Sequence, residues 1–141
     1  MTKINNGVVI ILLGLLHTNF TLSNDGFGSI IKNFNESYFF HINNGLNELP
    51  ATTGITNFET MATFWFFYFG LFLIILGILL YYVEKEMKRI PHSFTISYTL
   101  VVLVGCYMIP NSGMTFLMLP HAVFMLIYNY FRGKTKLKKI L

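Results

Sequence analysis

Few residues of this sequence could do chemistry in an apolar environment, and two histidines head them. His121 shares a stripe with Met114, Met118 and Met125, at spacings of four, three and four. Imidazole and thioether together suit haem iron or copper, so His17, His121, Met114 and Met118 are the candidate metal ligands. The same stripe also reads as adaptable methionine core, with each imidazole bonded to a backbone carbonyl or hydroxyl. Thr18 stands next to His17. Pro120 precedes His121 and denies the Phe116 carbonyl its helical donor. Glu59 precedes the aromatic run Phe64 to Phe69, which contains Trp65. It is either a proton-handling group at a pocket mouth or an acid favoured by a helix dipole. Asn111 and Ser112 add polar groups at a turn. His17, Thr18, Glu59, Trp65, Asn111, Ser112 and His121 therefore form the candidate ligand or partner pocket. There is no Gly-rich phosphate loop, zinc-spaced Cys/His cluster or nucleophile elbow. No catalytic residue is assigned, the pattern points away from an enzyme, and no particular cofactor is implied.

The elements that position these residues are apolar. Thr60 to Val83 runs 24 residues between Glu59 and Glu84 without a charge. A transmembrane helix needs about 20 such residues. Hydrophobic residues make up 54% of the chain and charged ones only 11%, against about 25% charged in an ordinary soluble domain. The solvent implied is lipid. The single cysteine, Cys106, allows no intrachain disulfide. A second span covers 7–23. It begins like a signal peptide, but no small-x-small cleavage site follows, so it reads as an uncleaved helix. From Ile90 to Phe131 there is no Asp, Glu, Lys or Arg. One helix of that length would be about 63 Å long, twice a bilayer. Pro110-Asn111-Ser112-Gly113 divides it into spans at about 93–109 and 113–131, with Ser112 placed to cap the latter.

The fold class expected is all-α: one membrane four-helix bundle with a 24–59 outer loop and a 132–141 basic tail. Phe27, Ile30, Ile31, Phe34, Tyr38 and Phe39 recur near helical spacing and predict a short amphipathic helix in that loop. Asn43-Asn44-Gly45 ends it, and Pro50 to Gly54 is loop. Lys3, Lys85, Lys88, Arg89, Arg132, Lys134, Lys136, Lys138 and Lys139 fall on one side of this arrangement and only Lys32 on the other. That asymmetry places both termini in the cytoplasm, with the protein in the cytoplasmic membrane. The basic tail is suited to anionic lipid head groups rather than nucleic acid. By helical rise, His17 lies about 9 Å and His121 about 12 Å in from the outer side, comparable depths for two ionisable groups. Gly7 and Gly14, like Gly70 and Gly77, are seven residues apart and so share a helix face. Such faces serve either internal packing or a homo-oligomer. Counted from the cytoplasmic ends of the spans, Gly14 and Gly77 lie at similar depth.

Several of these pieces together resemble a family of small bacterial four-helix membrane proteins known only as a domain of unknown function. They are Gly14-Leu15-Leu16-His17-Thr18, Gly45-Leu46, Phe64-Trp65-Phe66-Phe67 with Gly70 and Gly77, Ile90-Pro91 and Pro110-Asn111-Ser112-Gly113. The resemblance implies the four-helix membrane fold and an uncleaved first helix, and no activity. The function expected is non-enzymatic binding of a small hydrophobic ligand or a membrane partner through the outer half. A haem or copper redox protein using His17 and His121 is the alternative. A small transporter comes third, for want of a buried carboxylate or arginine within the spans.

Overall fold

The structure, a computed structural model, describes residues 5–34, 58–87 and 89–137. Among them there are helices and turns and no strand. In chain order these are α1 (Asn6–Leu22), α2 (Gly28–Phe34), α3 (Phe58–Met87), α4 (His92–Met108), a π-helical turn (Met114–Met118) and α5 (Leu119–Leu137). The expected features at Tyr38, Phe39, Asn43 to Gly45 and Pro50 to Gly54 lie outside the described residues. So do Lys3, Lys88, Lys138 and Lys139.

The helix ends differ from the charge-based boundaries in a regular way. α3 does not stop at Val83 but runs through Glu84-Lys85-Glu86 to Met87. Glu and Lys are good helix formers, and Pro91 is the first residue that forbids continuation. α5 likewise continues past Phe131 to Leu137, taking Arg132, Lys134 and Lys136 into helix. α1 and α4 are apolar helices of 17 residues each. Among the described residues two helices, Phe58–Met87 and Met114–Phe131, are long and apolar enough to cross a membrane.

The chain forms two compact units, Gly14–Ile75 and Met1–Leu13 with Leu76–Leu141. In the first, Gly14 of α1 meets Gly70 and Ile74 of α3. An added Cβ at Gly14 would stand 2.9 Å from both the Gly70 carbonyl oxygen and the Ile74 amide nitrogen. The chain leaves α1 through a turn in which the Phe27 amide bonds the Thr21 carbonyl and the Gly28 amide bonds the Ser23 carbonyl. Gly26 is needed there because a side chain would run into the Phe20 carbonyl. The turn brings Phe27 to 4.9 Å from Phe66, ring to ring, and Ile31 of α2 is buried.

In the second unit Gly7 faces Gly77 and Tyr81. A Cβ at Gly77 would lie 2.7 Å from the Ile11 amide nitrogen and 2.8 Å from the Gly7 carbonyl oxygen. The glycine register thus pairs Gly7 with Gly77 and Gly14 with Gly70, rather than Gly14 with Gly77. Depth counting set the cytoplasmic ends level, whereas α3 runs ten residues past Gly77 and α1 begins one residue before Gly7. Small residues of this kind let backbones approach as closely as carbonyl and Cα–H contacts allow.

The rest of this unit is α4, the π-helical turn and α5. Thr95, Tyr98, Thr99 and Val102 are buried on α4, and Met118, His121, Ala122, Met125 and Asn129 on the π turn and α5. The Thr99 and Thr95 hydroxyls bond back to the Thr95 and His92 carbonyls, so neither is left unpaired. Ser112 does not cap the following helix with its side chain. Gly113 holds the cap position, and the Ser112 carbonyl accepts the Thr115 and Phe116 amides. The Leu119 amide then bonds the Met114 carbonyl, five residues back. This wide turn sits where the Pro120 ring would otherwise press on the Phe116 carbonyl, four residues before it.

Gly77→Ala is expected to cost about 1–3 kcal/mol, because its methyl would meet the Ile11 amide nitrogen and the Gly7 carbonyl oxygen, which cannot swing away, as well as the Ile11 side chain. Gly113→Ala has open space and should leave the melting temperature unchanged. Thermal melts in detergent check both; equal melts for Gly77→Ala and the parent would remove the close contact.

Candidate functional site

His17 is held on the last two turns of α1. Its Nε2 lies 3.0 Å from the Phe66 carbonyl oxygen, and its ring stacks on the Phe66 ring at 3.9 Å between centroids, 23° apart in plane. Phe69 meets the imidazole edge-on at 5.5 Å. Gly70 makes room for this: a Cβ there would stand 3.1 Å from His17 Cδ2 and would collide with Thr18 Oγ1. Thr18 Oγ1 is buried against Gly70 without a hydrogen-bond partner. The Thr21 hydroxyl donates to the His17 carbonyl. His17 and Thr18 are thus brought together with Phe66, Phe69 and Gly70 in one aromatic cluster. Phe20 and Phe27 extend it, with centroids 6.4 Å and 4.9 Å from that of Phe66.

The other two candidates of this unit stand differently. Glu59 is exposed in the first turn of α3, a position an acid gains from the helix dipole. Its carbonyl accepts the Thr63 hydroxyl. Trp65 is exposed and packs edge-on against Phe64 and Tyr68 of its own helix.

The remaining candidates belong to the second unit. His121 is buried, and its Nδ1 lies 3.3 Å from the Tyr98 hydroxyl of α4; its Nε2 has no partner. Asn111 is exposed, and Ser112 Oγ is buried and unpartnered. The Met114 sulfur packs into the space that Gly105 leaves on α4, while Met118 and Met125 are buried. Among the described residues no group of three or more His, Cys, Asp or Glu side chains is placed to hold a metal ion.

Two polar clusters were missed from sequence. Glu84 is only 2% exposed and accepts both the Asn6 backbone amide, at 2.8 Å, and Asn6 Nδ2, at 3.0 Å. A carboxylate here satisfies amide donors at the start of α1, which have no helical acceptor of their own. Asn129 Nδ2 donates to the Ile90 carbonyl at 2.7 Å and lies 3.4 Å from His92 Nδ1. The signal for Glu84 was present: it falls seven residues after Gly77, on the face that meets α1. Its place in a charged triplet made it look like connector. Tyr98 and Asn129 carried no signal beyond their polarity inside apolar spans.

The family model described as family of unknown function (DUF6463) matches residues 1–132. The chain belongs to this family. The DUF6463 match takes in α1 to α4, the π-helical turn and most of α5. Neither a curated protein nor a solved structure matches the chain.

Glu84→Ala would leave two buried Asn6 donors unpaired, at a cost of about 1–3 kcal/mol. Glu86→Ala, at an exposed position of the same helix, should stay within about 0.5 kcal/mol of the parent. Denaturation in detergent tests the pair, and an unchanged Glu84→Ala would mean that the clasp contributes nothing.

Proposed function

We propose that this protein is a four-span membrane protein with both termini cytoplasmic, which works by binding a small membrane-soluble ligand beside His17. The membrane reading is supported by an inside-out distribution of side chains. Thr21, Thr63, Glu84, Thr95, His121 and Asn129 are buried, while Leu12, Leu16, Phe72, Ile75, Leu79, Leu100, Val101 and Val104 are exposed. Only 22% of each membrane-length window is buried, whereas the core helix of a soluble protein is mostly covered. Exposed apolar surface on this scale is stable against acyl chains, and polar bonds between buried side chains and neighbouring helices fit a helix set that gains nothing from hydrophobic contact alone. The distribution of lysine and arginine supports the orientation, and the basic end of α5 suits anionic head groups.

The observation that carries the binding reading is the His17 ring itself. It is held by a backbone carbonyl and aromatic rings and is only half buried. An oriented polar group at membrane depth is a means of recognition. Glu84 favours a second reading, a transporter, because it supplies the buried carboxylate in a span that such a protein needs. That reading ranks second because both Glu84 oxygens are already engaged by Asn6.

Orientation is tested by Asn111→Cys and Lys136→Cys in a Cys106→Ser background. An impermeant thiol reagent should label only the first in intact cells; equal labelling of the second would overturn the four-span arrangement. Binding is tested by mass spectrometry of gently purified protein. A small molecule should accompany the parent and be lost from His17→Phe, and its retention would remove His17 from the site.

A further inference from the structure

The His17 site has a hydrogen-bonding polarity that narrows its ligand. The Phe66 carbonyl can only accept, so the proton of the neutral imidazole is on Nε2. Nδ1 therefore carries a lone pair. Cδ2 faces Gly70 and Nε2 faces the Phe66 carbonyl, which leaves Nδ1 on the ring edge opposite Gly70. There it meets no donor among the described residues, and it is not among the polar atoms sealed inside the structure. The two neighbouring hydroxyls do not supply one: Thr21 donates to the His17 carbonyl, and Thr18 Oγ1 is enclosed against Gly70. An acceptor exposed in hydrocarbon lacks the water that would satisfy it elsewhere, and each such group is costly to leave unpaired. The surroundings are aromatic. Phe20 and Phe69 leave 47% and 40% of their surfaces uncovered beside the imidazole and Phe66.

We propose that His17 Nδ1 accepts the hydroxyl hydrogen of a membrane-soluble aromatic alcohol, a phenol or hydroquinone, whose ring lies on the open surface of Phe20 and Phe69. This rests on the reading of His17 as a ligand site and adds the direction of the hydrogen bond. A compound of the same shape without the O–H, such as a methyl ether or the corresponding quinone, brings only oxygen lone pairs to a nitrogen lone pair. It loses the bond and meets repulsion. The aromatic body matters because offset and edge-on ring contacts add to area burial.

The test uses the full chain in lipid nanodiscs, with partitioning into empty nanodiscs subtracted. Binding of 4-octylphenol, its methyl ether and 1-octanol is compared in the parent protein and in His17→Phe. The parent should bind the phenol roughly tenfold more tightly than the ether, as one hydrogen bond lost in an apolar site implies. It should bind 1-octanol more weakly than the phenol, and His17→Phe should bind phenol and ether alike. Equal binding of phenol and ether by the parent overturns the acceptor role and leaves a ligand site of unassigned polarity. No binding of any probe overturns the ligand site as well. Octanol binding as tight as phenol overturns the aromatic class, and persistent discrimination by His17→Phe places the acceptor elsewhere. Should His17→Phe fail to fold, the phenol–ether comparison in the parent still decides the matter.

Discussion

A glycine set against another helix removes the layer of side chain that normally holds two backbones apart. Gly7 with Gly77, and Gly14 with Gly70, do this in each of the two compact units, where an added methyl would stand within 3 Å of opposing backbone or of Thr18. In the bilayer proposed above, lipid gives apolar side chains no reason to leave it, and close van der Waals contact and polar bonds are what hold helices together there. The other α1–α3 contacts depend on this approach. His17 reaches the Phe66 carbonyl only because Gly70 lets α1 come near, and Asn6 reaches Glu84 from a helix already held by Gly77.

The polar contacts then supply what the glycine contacts lack, which is direction. Each joins a side chain to a group at a helix end or on the next helix: Glu84 to the first amide of α1, Asn129 to the Ile90 carbonyl before Pro91, Tyr98 to His121. A slip of α1 along α3 by one residue would separate Glu84 from Asn6 and His17 from Phe66. Packing of small residues alone tolerates such sliding far better than a set of hydrogen bonds does.

Much of the secondary structure was legible from sequence because its signals are local. The uncharged run before Glu84, the block at Pro91 and the turn at Pro110 to Gly113 each act on neighbouring residues. They located three of the long helices, within four positions at most ends, although the last runs six residues past Phe131; of the expected loop helix, a seven-residue helix at Gly28–Phe34 falls within the described residues. The end of α3 was misread for a physical reason: charge was taken to mean solvent, while Glu84 is buried by a partner 78 residues away. An ionisable residue deep in an apolar span singled out His17 in the sequence, but the ring's orientation depends on the Phe66 carbonyl, and every residue has one. Tyr98 and His121 belong to separate helices, and nothing in their spacing foretells a contact.

The π-helical turn at Met114–Met118 has a bearing on length as well as shape. Such a turn holds one residue more than an α-helical turn while leaving the phase of the helix beyond it unchanged. Pro120 and the extra residue are therefore one feature: the wide turn removes the clash that the proline ring would make. A chain of this family with an ordinary residue in place of Pro120 could be one residue shorter between Gly113 and Leu119 and still present the face that carries His121, Met125 and Asn129. A one-residue gap here, in step with loss of the proline, would mark a conserved helix face rather than a divergent loop.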